Sequence, residues 1–302
     1  MDWGLASQLL FAIIAVVGNS LVVFIVCSNR QMRQEHSPYW LILSLSVADF
    51  LVGAFNILNT TVCSVHPLIC ASWRNRAVFT VIKETSFSAS TTTLCLLTLD
   101  RYLAVVHPYF YKRFMHNTRC LLLIMGSWCL GLAMIVPRNL YRLRVIERGK
   151  SEAEICFMLI FSFLILFMIY AYTRILIVIR RHRKVINVQS QIANQITSQV
   201  TNQRPNDEES NTTDTKTRDT LKARHAGLVS VAIVVGIFLT SNVVDISYFI
   251  CKQASSCHPS HTFQDITDII RYGNSAANFF AYALVKGGFK ERLKTLLLCK
   301  RS

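Results

Sequence analysis

Apolar residues in this chain are gathered into long blocks, and block length is what most limits its fold. Crossing about 30 Å of hydrocarbon at about 1.5 Å per residue takes roughly 20 helical residues. Blocks near that length lie at 5–27, 39–63, 77–101, 120–138, 155–181, 224–250 and 264–285. The last is interrupted by Asp268 and Arg271, while residues 77–99 of the third hold only Lys83 and Glu84 as charges. A soluble core helix would not run so far without a polar face. The composition agrees, at 52% hydrophobic and 16% charged. The expected fold class is all-α, a seven-transmembrane helix bundle forming a single domain over 1–302. A short amphipathic surface helix is expected at 288–298, from the spacing of Phe289, Leu293, Leu296 and Leu297.

The net charge of +15 is explained by where the basic residues fall. Arg30, Arg33, Lys112, Arg113, Arg119, Arg180, Arg181, Arg183, Lys184, Lys222, Arg224, Lys290, Arg292, Lys294, Lys300 and Arg301 collect at alternate span ends. The opposite ends hold fewer, and three of those sit near Glu147, Glu152 and Glu154. The positive-inside bias puts the N-terminus outside and the C-terminus in the cytoplasm of a plasma-membrane, multi-pass protein. No nucleic-acid partner is needed to account for the charge; the bilayer is partner enough. The first span lacks a basic n-region and reads as its own signal. Between the fifth and sixth spans, residues 187–220 are rich in Gln, Asn, Ser and Thr, include Pro205, and read as a flexible cytoplasmic loop.

Enzymes are excluded for want of a nucleophile–base or metal-ligand pattern such as His-Glu-x-x-His. Chemistry is instead concentrated in charges that a bilayer disfavours. A carboxylate inside a span is costly and marks a functional site by default, and Asp49 is the deepest one. Asp100 and Arg101 stand side by side at the inner end of the third span.

Those residues have companions. Gly18-Asn19 sits in the first span, Leu45-Ser46-Val47-Ala48-Asp49 in the second, Asp100-Arg101-Tyr102 in the third and Trp128 in the fourth. Tyr172 lies in the fifth, Phe238 in the sixth, and Asn278-Phe279-Phe280-Ala281-Tyr282 in the seventh. In order and placement the chain resembles the rhodopsin-like (class A) G-protein-coupled receptors over nearly its whole length. The resemblance implies a receptor that senses an extracellular small molecule, lipid or peptide. It would activate a heterotrimeric G protein through outward movement of the sixth helix. Transduction would run through Asp100, Arg101, Tyr102, Tyr109, Tyr172 and Tyr282. Arg224 falls at the inner end of the sixth span, where many members place an acid that locks the arginine of the triplet.

The same comparison sets Asn19, Ser90, Asn274 and Asn278 around Asp49. These are hard oxygen ligands for Na⁺, with Asp49 and Ser90 central, or a hydrogen-bonded cluster that only joins helices. No obligatory cofactor is implied. Lys83 lies seven residues outward of Ser90, roughly 10 Å along the helix, where amine receptors carry an aspartate. A lysine there argues against a cationic amine. Asp268, Arg271 and Tyr272 share one face of the seventh span, and Asn242 and Asp245 one face of the sixth. These six residues are the expected ligand pocket, although Lys83 and Asp268 alternatively form an internal ion pair.

The departures are specific. Leu164, Val244 and Phe279 stand where the family usually has prolines, and Asn242 stands at its aromatic switch position. Arg76 replaces the cysteine at the start of the third span. Melanocortin receptors also lack that cysteine and the fifth-span proline, and His36-Ser37-Pro38-Tyr39 is similar to theirs; their acidic calcium ligands, however, map to Asn59, Arg76 and Thr80. Cys251 and Cys257 flank a short outer loop and are expected to bridge, free thiols being the alternative. Cys299 is a lipidation candidate or a free thiol. A non-signalling decoy of receptor fold, or a seven-helix ion or proton transporter relaying through Asp49, Lys83 and Asp268, are the rival functions.

Overall fold

The computed structural model describes residues 3–29, 38–66, 73–142, 150–201, 236–248, 250–251, 257 and 259–285. They form α1 (Trp3–Ser28), α2 (Pro38–Val65), α3 (Trp73–Val106), the short α4 (Pro108–Phe114), α5 (Asn117–Arg142) and α6 (Lys150–Thr201). A helical stretch at 236–248, here α7, and α8 (His261–Val285) follow. Among the described residues there is no strand.

The helices close into a ring around α3. It packs against α2, α5 and α6, while α1 packs on α2 and α8. The ring continues from α6 to α7 through Phe161 and Phe238, whose centroids are 6.5 Å apart. It closes from α7 to α8 through an ion pair between Asp245 and Arg271 at 2.8 Å. Gly53 sets the close approach of α1 and α2, because a Cβ there would lie 2.8 Å from the Ala12 carbonyl oxygen. Small residues at such crossings let backbones meet where lipid offers no hydrophobic drive.

The burial pattern is that of a membrane protein. Leu10, Ile13 and Val17 of α1, Leu122 and Met125 of α5, and Leu159, Phe163 and Leu166 of α6 face outward. The interior instead collects Asn19, Ser46, Asp49, Asn56, Ser90, Thr93, Thr98, Asn274 and Asn278. Four helical stretches among the described residues are long and apolar enough to cross a membrane, in α1, α2, α5 and α6. Helix α3 lacks that composition because it is central, and its hydroxyls look inward. Several of them satisfy themselves on their own helix: Thr91, Thr92 and Thr98 donate to the carbonyls of Phe87, Ser88 and Leu94. Helix α8 carries Asp265, Asp268 and Arg271 for the same reason.

One reading needs correction. Residues 187–201, assigned to the flexible loop, continue α6 as helix to Thr201. Val188, Ile192, Ile196 and Val200 recur every four residues, and the first proline comes only at Pro205. The polar composition hid that stripe. Residues 202–220 of the loop, the surface helix at 288–298, Arg224, the inner part of the sixth span and Cys299 lie outside the described residues.

Candidate functional site

Three polar clusters lie along the bundle interior. The innermost is at the end of α3. Asp100 is fully buried, 3.4 Å from Nε of its neighbour Arg101. Tyr111 of α4 donates its hydroxyl to Asp100 Oδ1 at 3.1 Å. Helix α4 can reach back because His107 breaks α3 and Pro108 starts a new helix with φ already set. Tyr172 of α6 is partly buried, its hydroxyl enclosed close to Thr98 and within electrostatic range of Arg101. Tyr102 packs its ring on Tyr170 of α6 at 6.2 Å. Tyr109 is 92% exposed and touches none of this cluster. Tyr282 belongs to α8, but its side chain lies outside the described residues.

The middle cluster surrounds Asp49 of α2, which is fully buried. Ser90 donates to its Oδ1 at 2.8 Å, and the Asn278 amide to its Oδ2 at 2.6 Å. The Asn19 amide donates to the carbonyls of Ala15, at 2.9 Å, and Ser275, at 3.2 Å. Left unpaired here are the buried amide oxygens of Asn19, Asn274 and Asn278 and the hydroxyl of Ser275. Buried acceptors without donors beside a carboxylate are a setting for a cation.

The outer cluster joins α2, α3, α7 and α8. Arg271 bridges Asp245 at 2.8 Å and Asp268 at 3.4 Å, with its guanidinium 5.3 Å from the centroid of Phe87. Lys83 Nζ donates to the Tyr272 hydroxyl at 3.3 Å, and that hydroxyl donates to Asn56 Oδ1 at 2.6 Å. The internal pair Lys83–Asp268 is therefore not formed. Asp268 lies one turn before Arg271 on α8 and takes the nearer cation. Asn242 is 2% exposed, its amide donating to the Phe238 carbonyl at 2.6 Å.

Just beyond α7, a disulfide joins Cys251 and Cys257, with Cα atoms 5.0 Å apart. Cys63 is also disulfide-bonded, to a partner outside the described residues.

Sequence reasoning missed Asn56, Phe87 and Tyr111. Asn56 carried a signal, since it lies seven residues after Asp49 on the same helical face. Phe87, four residues after Lys83, carried one too. Tyr111 carried none, because its partner depends on how α4 folds back.

A bundle of membrane-length helices with its polar residues turned inward defines a multi-pass membrane protein with an internal polar core. The chain belongs to the family described as the 7 transmembrane receptor (rhodopsin family), whose profile matches residues 18–282. It is a G-protein-coupled receptor by family and not an enzyme. It is 25% identical to 5-hydroxytryptamine receptor 6 of Mus musculus, over 98% of this chain and 71% of that receptor. With the Substance-K receptor of Homo sapiens it shares 26% identity, over 51% of this chain and 39% of that receptor. With 5-hydroxytryptamine receptor 4 of Cavia porcellus it shares 25%, over 95% and 77% respectively.

Proposed function

We propose that this receptor sits in the plasma membrane with its N-terminus outside, senses an extracellular ligand, and activates a heterotrimeric G protein as α7 moves outward. The observation that carries the reading is the inner cluster. Asp100 is buried and held by Tyr111 of α4, while among the described residues Arg101 keeps only a 3.4 Å pair to it and lies in range of Tyr172. An arginine so loosely held has an alternative partner on α6, which is what a two-state switch read from the cytoplasm needs. Tyr109, exposed on α4, would contact the G protein, and Tyr282 would receive Arg101 in the active arrangement.

The ligand would enter the outer cluster of Lys83, Asn242, Asp245, Asp268, Arg271 and Tyr272. A small molecule, a lipid or a peptide fits the reading; the relatives are named as receptors for 5-hydroxytryptamine and for Substance-K. The Asp49 cluster would hold Na⁺ through Asp49 and Ser90, with Asn19, Asn274 and Asn278 supplying further oxygens. The ion would supply positive charge between α2, α3 and α8 and so favour the resting packing.

The test is nucleotide exchange on a G protein in membranes bearing the chain, compared with Arg101→Ala at equal surface density. Exchange in the parent that is lost in the variant supports the reading; equal exchange in both refutes it. A second reading, a non-signalling decoy, is favoured by Asn242, whose amide is tied to its own helix where an aromatic ring would bridge helices. No exchange in the parent under any condition selects that reading.

A further inference from the structure

We infer that the ligand of the outer cluster carries a carboxylate, and that Lys83 is the residue that binds it. This rests on the receptor reading only for calling the bound molecule a ligand. The Lys83 ammonium lies part-buried within the bundle, yet no carboxylate lies within 4 Å of it among the described residues. Among the described residues its one hydrogen bond goes to the Tyr272 hydroxyl, whose ring centroid is 5.9 Å away. The acids of this cluster are engaged elsewhere, for Asp245 and Asp268 both pair with Arg271. An ammonium held this way inside a bundle is costly, so it waits for a partner.

The neighbouring groups say what that partner is. Tyr272 gives its proton to Asn56 Oδ1 and receives one from Lys83, so its hydroxyl is used in both directions. Asn56 is 4% exposed, and its amide nitrogen has no acceptor. The capacity left over around Tyr272 is therefore all donor: two ammonium protons and the Asn56 amide. The Asp49 cluster differs, since amide oxygens predominate among its unpaired atoms. An amine beside Tyr272 would meet the like charge of Lys83, while the carboxylates of Asp245 and Asp268 are turned to Arg271. A carboxylate offers two oxygens and one negative charge, which match a single ammonium and an adjacent amide. A phosphate dianion would need a second free cation, and Arg271 is already shared between two acids. One turn along α3, Phe87 stacks on Phe161 with centroids 6.4 Å apart, giving the apolar body of the ligand an aromatic surface.

The test uses the full chain purified in lipid nanodiscs, with benzoate, benzamide and benzylamine as probes. Without any probe, Lys83→Met should raise Tm by roughly 2–4 °C, because it removes an ammonium with no carboxylate partner. An unchanged or lowered Tm overturns the inference, since Lys83 would then be a structural partner. Benzoate should raise Tm of the parent and of Lys83→Arg but not of Lys83→Met, and the amide and amine should raise none of them. No benzoate shift in the parent, or an equal one from benzamide, also overturns it. Basal nucleotide exchange is read separately in the same preparation. Benzoate binding through Lys83 with no exchange refutes signalling and leaves the carboxylate site standing.

Discussion

Gly18 of α1 lies directly against the Phe279 ring of α8, and a Cβ built on it would fall 2.7 Å from the ring's Cγ. Phe279 stands where the family usually has a proline, so α8 carries a large side chain in place of a helix-bending residue. The glycine makes the space that ring needs. Gly18→Ala should therefore destabilise the receptor by about 1–3 kcal/mol through overpacking. Phe279→Ala should relieve much of that cost, giving a strongly non-additive double mutant in thermal denaturation. Additive effects would mean the two residues are not coupled.

Arg101→Ala should leave surface expression at the parent's level and remove G-protein nucleotide exchange. Tyr111 still donates to the buried Asp100 carboxylate when Arg101 is gone, so the variant should reach the surface. Exchange at matched surface density is the measurement, and parental exchange would remove Arg101 from transduction.

Replacing a bulky organic cation with Na⁺ should lower basal exchange or agonist affinity, and Asp49→Asn should abolish that sensitivity. The variant keeps a similar shape but loses the charge that Ser90 and Asn278 hydrogen-bond. Equal Na⁺ response in parent and variant would leave the cluster a purely structural one.

Arg271→Met should be among the most damaging single changes in the outer half. It strands Asp245 and Asp268, two carboxylates that share this one guanidinium. Removing one partner of a fully buried ion pair costs about 3–5 kcal/mol, and solvent reaching the part-exposed Arg271 and Asp268 brings the expected loss below that. Adding Asp245→Asn to Arg271→Met should recover part of the lost Tm, and a further fall would show that the cluster is not held by charge.

Arg224 stands fourteen residues before Phe238, where many members carry the acid that locks the triplet arginine. If Arg224 takes that acid's place opposite Arg101, their largely screened repulsion would shift the resting balance by on the order of 1 kcal/mol. The receptor should then show ligand-free exchange, and Arg224→Glu should lower it. Unchanged or raised basal exchange in that variant would sink the missing-lock argument.

The sequence by itself determined the seven-span class and the family, because membrane length and inward polarity are written as local patterns. It also carried the inner triplet and the residues around Asp49, since helical spacing puts Asn274 and Asn278 on one face of α8. Residues 187–201 were misread because their polar composition outweighed a four-residue apolar repeat. The partner of each charge was decided only by tertiary structure. Lys83, Asp268 and Arg271 are all visible in the sequence, but three charges permit several pairings. The chosen one depends on the distances that helix packing sets, and these give Asp245 and Asp268 to Arg271 and leave Lys83 with Tyr272. The fit of Phe279 against Gly18, and of Tyr111 against Asp100, was likewise beyond the sequence. Each joins two helices whose separation no one-dimensional spacing encodes.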